Sequence, residues 1–572
     1  MAAKDSRAEV REALAASRAA FTMTGVFSFF INLLMLTAPL YMLQIYDRVL
    51  TSRSESTLVA LTVLAGALLL VMGLLELIRS RVLVRIGTKL DAGLGSRVFM
   101  ASFQRSLRGF RGQRSQSLRD LDNMRQFLSG PGPFALFDAP WVPLYLAVVF
   151  LFHPVLGLIA LAGAAVLFVM ALLNEILTRR PLTQANAEIA GAYGFAEASL
   201  RNAEVIESMG MLDGIRRRWA GSHRKGLALQ CRASDRAGTL TAVSKATRMF
   251  LQVAILGAGA ALAIQQIITP GVMIAASIIM GRALAPVEQA IGQWRQFVAA
   301  RGSYRRLDEL LRENPVSPDT LKLPRPQGHL AVEQAVAVPP GARKPVLRGV
   351  SLKLAPGEAL GVIGPSASGK STLARLLVGV WSPYAGTVRL DGAELHGWDP
   401  EDLGPYIGYL PQDVELFSGT VAENIARFAE EPNSEMVVQA AQRAGVHEMI
   451  LLLPDGYDTQ IGENGSVLSG GQRQRIGLAR AVYGTPALVV LDEPNSNLDA
   501  AGDQALAQAI LDLKSNQVTV VVMAHRPSAI SAVDKLLMLR DGVVEAFGPK
   551  EEVIAKVTKG GGPNIAAIRT SG

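Results

Sequence analysis

Six apolar stretches, each close to the roughly 20 residues that a bilayer's hydrocarbon core demands of a helix, fill the first half of this chain. They cover residues 21–45, 57–78, 134–152, 155–177, 250–268 and 271–294 of 572. In lipid every backbone N–H and C=O must be satisfied within the protein, so runs of this length are committed to α-helix. The first is too long for the apolar region of a cleaved signal peptide, and the second follows after a short loop. Composition agrees, with 49% hydrophobic and only 19% charged residues, where a soluble domain carries about 25%. A disordered chain, a collagen-like repeat and a disulfide scaffold are excluded.

The charge is divided unequally. Residues 328–572 carry a net −7 and the remainder +15, for a total of +8. The basic excess sits in the apolar half, where loops meet an anionic leaflet, and this argues against a nucleic-acid partner. Eleven Lys and Arg lie between Arg79 and Arg125 and ten between Arg179 and Arg236. By contrast, spans three and four are separated only by His153-Pro154, and spans five and six by Thr269-Pro270. The positive-inside rule therefore predicts that both termini and both long connectors are cytoplasmic, in a multi-pass membrane protein. Leu83, Ile86, Leu90 and Leu94, then Leu118, Leu121, Met124 and Leu128, recur at helical spacing, so the connectors are expected to prolong the spans as helices. The one cysteine, Cys231, excludes an intramolecular disulfide and reads as a bystander thiol.

The expected organisation is an N-terminal segment over 1–20, a six-span helical transmembrane domain over 21–312, a Pro-rich linker over 313–327, and an α/β domain over 328–572. In the last, apolar strand-like runs at 359–363, 488–491 and 518–523 alternate with helical segments, the pattern of a parallel sheet.

Chemistry is concentrated in that α/β region. Gly364, Pro365, Ser366, Ala367, Ser368, Gly369, Lys370, Ser371 and Thr372 follow an apolar strand and open an amphipathic run. This is the strand–loop–helix context of a phosphate-binding P-loop. Its backbone N–H groups and the helix N-terminus would cradle phosphate oxygens of ATP, Lys370 would reach the β- and γ-phosphates, and Ser371 would ligate Mg²⁺. A second strand, 488–491, ends in Asp492 and Glu493. At the C-terminal edge of a parallel sheet, Asp492 would hold the metal and Glu493 would orient and deprotonate the attacking water. A third element, Leu468-Ser469-Gly470-Gly471-Gln472, precedes a helical run and forms a second anion cradle. One γ-phosphate does not need two cradles from one chain.

On these residues the chain resembles the ATP-binding cassette (ABC) proteins, whose LSGGQ signature completes the site of the opposite subunit. Gln412 in Tyr409-Leu410-Pro411-Gln412 is similar to that family's Q-loop, a ligand of nucleotide and metal. Ser496-Asn497-Leu498-Asp499 is similar to its D-loop, and His525, after the apolar run 518–523, to its switch histidine. The resemblance covers the whole chain and implies a P-loop NTPase fold, a half-transporter and a homodimer with two identical composite sites, using ATP and Mg²⁺. One feature departs from the family. No Phe, Tyr or Trp stands between Tyr304 and Trp381, so the aromatic that usually stacks on adenine is missing, and with it a contribution of about 1 kcal/mol.

Three span segments, 37–48, 138–141 and 281–289, together with Asp492-Glu493-Pro494-Asn495-Ser496-Asn497-Leu498-Asp499, are similar to the type I secretion permease/ATPases that export metalloproteases. That likeness implies an unfolded protein cargo with a C-terminal signal, a periplasmic adaptor (membrane fusion protein) and an outer-membrane channel. A lipid or small-molecule exporter is the same-fold alternative, and a non-transporting regulatory ATPase the alternative of another class. About 20 residues precede the first span, too few for a protease domain, so leader-peptide cleavage is not expected. Among ionisable residues in spans, Arg282 is expected to line the translocation path, with Glu288 poorly spaced to pair with it on the same helix. Short helices at the tips of the cytoplasmic connectors, near 117–125 and 205–213, are expected to dock on the cassette beside the Q-loop segment 412–420.

Overall fold

The computed structural model describes residues 9–109, 116–315, 322–462, 465, 467–496, 498, 500–524 and 530–559. The chain forms two compact units that part after Pro315.

The first unit is helical among the described residues. A short α1 (Glu9–Ala15) precedes α2 (Arg18–Leu34) and α3 (Thr37–Gln44), which runs into a π-helical turn at Ile45–Val49. Next come α4 (Glu55–Leu107), α5 (Gln116–Ser129), α6 (Gly132–Asp138) and α7 (Val142–Phe152). The unit closes with α8 (Pro154–Leu200), α9 (Ala203–Ser208), α10 (Leu212–Ile264) and α11 (Pro270–Glu313). Six helical stretches among the described residues are long and apolar enough to cross a membrane. The most apolar window of α4, of mean hydropathy 2.7, has none of its residues buried, as a lipid-facing surface requires. At 1.5 Å per residue the 53 residues of α4 extend about 80 Å, far beyond a hydrocarbon core of about 30 Å.

Apolar periodicity accounts for the packing of these extensions. Leu83, Ile86, Leu90 and Leu94 are buried, as are Leu121 and Met124, whereas Leu118 is exposed. Val10 of α1 joins Leu90, Leu94, Leu121, Leu307 and Leu311 in one cluster. Asp120 on α5 is buried and accepts from Arg306 Nε at 2.8 Å and from Ser303 Oγ at 2.9 Å, both on α11. Residues 117–125, expected as a short helix, lie within α5, whose inner face packs in this unit. The fifth span differs from its expected 250–268 boundary because α10 stops at Ile264. Gln266 adopts φ +60°, and the N–H groups of Gln266 and Ile267 donate to Ala263 O and Leu262 O, each at 3.0 Å, a Schellman closure.

Arg79, read from sequence as a connector charge, is buried. It donates to Asp138 Oδ1 at 2.8 Å and Ser28 Oγ at 2.9 Å, and its guanidinium lies 4.4 Å from the Phe134 ring centroid. Asn32 Nδ2 donates to the same Asp138 oxygen at 2.9 Å, and Tyr145 Oη donates to Asn32 Oδ1 at 2.9 Å. One polar cluster therefore joins α2, α4, α6 and α7. Glu288 pairs with Arg248 of α10 at 2.9 Å, and Arg282 is exposed on the single chain.

The second unit holds two sheets. Strands β1 (Leu330–Ala337), β2 (Leu347–Leu354), β4 (Ala385–Leu390) and β5 (Ala393–Glu394) form an antiparallel sheet in the order β2-β1-β4-β5. The other sheet runs β10-β9-β3-β8-β7-β6. It comprises β3 (Ala359–Ile363), β6 (Ile407–Leu410), β7 (Leu488–Asp492), β8 (Thr519–Met523), β9 (Lys535–Arg540) and β10 (Val543–Pro549). Every pairing in it is parallel except β9–β10. Its central strands are buried on both faces, which explains their unbroken apolar runs. Val490, Val521 and Leu537 pack with α12 (Lys370–Leu377) and the antiparallel sheet, while Val489, Leu491, Val520 and Val522 pack on the opposite side. On that second side lie α13 (Val421–Ile425), α14 (Ser434–Arg443), α15 (Gly470–Val482) and α16 (Ala500–Ser515).

Candidate functional site

The three parallel strands β3, β8 and β7 end together. Met523 of β8 is in register with Val362 of β3 on one side and with Asp492 of β7 on the other. At about 4.8 Å per strand, the loop after β3 and the carboxylates after β7 open onto one edge of the sheet. His525, expected to join them from β8, lies outside the described residues, as do Asn497 and Asp499.

Glycine is obligatory at both ends of the loop from Gly364 to Thr372. Gly364 has φ +156°, and a Cβ there would come within 2.2 Å of Leu539 O; Gly369, which caps α12, has φ +104° and a Cβ would meet Leu347 Cδ2 at 2.6 Å. Lys370 curls back over the loop, its Nζ donating to Gly364 O at 2.8 Å and Pro365 O at 3.0 Å. An ammonium has three protons, which leaves one for a ligand. Burial pulls the Lys370 pKa below its ordinary value, against the opposing pull of Glu493 and Asp492. Ser371 Oγ donates to Asp492 Oδ1 at 3.3 Å, so the two residues expected to share a metal ion are adjacent. Burial also raises the Asp492 carboxyl above the ordinary range, with Ser371 acting in the opposite sense and Glu493 adding to the rise.

Two buried side-chain atoms at this edge, Asp492 Oδ2 and Ser368 Oγ, have no hydrogen-bond partner among the described residues. Desolvating a carboxylate oxygen without a partner is costly. Asp492 Oδ2 and Ser371 Oγ together are a hard oxygen donor set suited to a divalent cation. The residues present therefore fit a metal bound alongside phosphate.

Glu493 occupies the left-handed region at φ +53°. Its Oε2 accepts from Gln412 Nε2 at 3.2 Å, so the Q-loop glutamine and the expected base are in contact. The signature segment opens α15 with a reciprocal capping box: Gln472 N donates to Ser469 Oγ at 3.3 Å, and Ser469 N donates to Gln472 Oε1 at 2.8 Å. This box leaves the N–H groups of Gly470 and Gly471 at the helix tip without intrahelical acceptors. Among the described residues no hydrogen bond joins Ser469, Gly470, Gly471 or Gln472 to the loop 364–372 of the same chain.

Sequence reasoning missed two residues beside this site, the buried Gln474 and the partly buried Arg427. Gln474 contacts the backbone after β7. Arg427 donates to the carbonyls of Gly404, Arg480 and Ala481 at 2.9, 3.0 and 3.1 Å, fastening the end of α15. Burial, then the neighbouring Arg480, lowers the Arg427 pKa to about 10. Neither carries a local pattern that could announce it, because their partners are backbone carbonyls distant in sequence. Strand pairing also brings an aromatic close to the region where sequence found none: Tyr384 N donates to Val336 O at 2.7 Å, and its ring is exposed.

Comparison with known proteins agrees with this architecture. Residues 21–286 match the family model of the ABC transporter transmembrane region and residues 347–496 that of the ABC transporter. The chain is 50% identical over 557 residues to the type I secretion system ATP-binding protein PrsD of Rhizobium meliloti, covering 97% of this chain and 96% of that one. It is 31% identical over 538 residues to the cyclolysin secretion/processing ATP-binding protein CyaB of Bordetella pertussis, covering 92% and 75%. A solved structure of a bacterial Atm1-family ABC exporter with ATP bound superposes with a TM-score of 0.80, at 23% identity over 95% of this chain and 97% of that one, a likeness of fold. With both domains matched and half its positions identical to one relative along nearly the whole length, the chain belongs to the ABC transporter family, among the ATP-binding proteins of type I secretion systems.

Proposed function

We propose that two copies of this chain form an ATP-driven exporter of unfolded protein in a bacterial inner membrane, acting with a periplasmic adaptor and an outer-membrane channel. The observation that carries the two-chain reading is the separation of the two anion cradles. Among the described residues the capped turn at Ser469 makes no hydrogen bond to its own P-loop, and we assign each turn to the nucleotide held by the partner. The protein cargo, with its C-terminal signal, is supported by the likeness to PrsD along the full chain.

In each composite site the N–H groups of 364–372 hold the β- and γ-phosphates, and Lys370 turns its remaining proton to them. Ser371, Asp492 and Gln412 would hold Mg²⁺, which when bound would neutralise phosphate charge. Glu493 receives the proton of the water that attacks the γ-phosphorus, while the bond from phosphorus to the bridging oxygen breaks and the electron pair leaves with ADP. His525, by its likeness to the family's switch histidine, would contact the γ-phosphate. The linker over 313–327 joins the transmembrane domain to the cassette. The turn around α9 exposes Leu200, Val205, Met209 and Leu212, an apolar tip suited to docking.

A secretion assay tests this reading. Cells carrying the chain, the two envelope partners and a repeat protein with its C-terminal segment are expected to release that protein into the medium, and to stop when Lys370→Ala is introduced. Release that persists in the Lys370→Ala strain removes this chain from the export step.

A further inference from the structure

Gln474 lies one turn beyond the capping box on α15, and it is buried. Its Nε2 donates to Glu493 O at 3.2 Å, Pro494 O at 2.5 Å and Ser496 Oγ at 3.3 Å. On the other side of the same residue, Glu493 N donates to Met523 O at 3.1 Å. The backbone of Glu493 is therefore gripped at both its N–H and its C=O while it holds φ +53°. A non-glycine residue persists in that conformation only where its surroundings over-determine it. Replacing either grip would let the chain relax towards φ < 0 and swing the carboxylate away from Gln412.

We infer that Gln474 is a positioning residue for hydrolysis: from the signature helix it clamps the strained Glu493 backbone, so that the base of a chain's own site is set by the helix whose tip closes its partner's site. The inference rests on the two-chain reading above. Because Ser469 and Gln474 share the first two turns of one rigid helix, movement of the tip onto the partner's nucleotide moves the clamp as well. Each site thereby receives the closure state of the other through one side chain.

The test uses the full chain in lipid discs, with Gln474→Glu and Gln474→Met, which keep length but remove the NH₂ donor. In both, kcat for ATP is expected to fall about 10-fold or more, the scale on which misplacing a catalytic group acts, with KM within about 2-fold and the Hill coefficient moving towards 1. A parallel measurement in a Cys231→Ser background follows ATP-induced crosslinking between Ala367→Cys and Val467→Cys of opposite chains, which reports closure alone. Failure of the parent to crosslink overturns the two-chain reading itself. Crosslinking with unchanged kcat in both Gln474 variants overturns the role of Gln474. So does a fall confined to Gln474→Glu, which would mark charge repulsion, or a parallel loss of crosslinking and melting temperature, which would mark a purely structural side chain.

Discussion

Asp492 shows how one residue is left in tension by the fold around it. Its pKa is raised by burial, so it lies above the unfolded value. A carboxyl of this kind contributes stability that is complete below its unfolded pKa and is lost as pH rises through the folded one. Without nucleotide or divalent cation, Asp492→Asn is therefore expected to melt higher than the parent at pH 7, and to lose part of the parent's gain on acidification. With Mg²⁺ and ATP the order reverses, since only the parent gains ligand stabilisation. Thermal melts at pH 5 and 7, with and without ligand, decide the matter; a variant that melts lower without ligand contradicts the account. The P-loop, Asp492, Glu493 and the signature were legible as residue types in sequence because each occupies a short contiguous motif. The left-handed backbone of Glu493 was not, because no local pattern places a glutamate there.

At the scale of elements, the membrane unit is joined by polar groups as well as by apolar faces. Arg79 and Asp138 lie 59 positions apart and belong to different helices, so sequence showed a connector charge and a motif residue with nothing to link them. Removing one partner leaves a buried charge, and Arg79→Ala is expected to destabilise by about 3–5 kcal/mol. Replacing both, as Arg79→Leu with Asp138→Leu, is expected to recover most of that loss. A double-mutant cycle by thermal or denaturant unfolding measures it. Simple additivity of the two single variants would show that the pair is not coupled. The helix lengths and buried stripes of α4 and α5 were legible from periodicity. The early end of α10 at Ile264 was not, since an apolar run does not reveal a left-handed residue in its midst.

At the scale of the whole molecule, the proposed two-chain arrangement makes a genetic prediction. A chain with Lys370→Ala and a chain with Ser469→Arg should each form inactive homodimers. Mixed, they contain one site with both lesions and one site with neither, so about one nucleotide per mixed dimer is expected to be trapped. When both changes are placed on the same chain and mixed with the parent, every site carries one lesion and no trapping is expected. Nucleotide occlusion in purified mixed dimers reads the difference, and equal trapping in the two arrangements would sink the shared site.

The sequence alone determined that this protein spans a membrane six times and carries a P-loop cassette, because hydrophobic length and phosphate-binding turns are local properties written in contiguous residues. Only the tertiary structure decided which of its polar residues face one another. Arg79 with Asp138, Ser371 with Asp492, and Gln474 with the Glu493 backbone are brought together by helix packing and strand order. Their energies depend on burial and on distances of a few ångströms, which no spacing along the chain encodes.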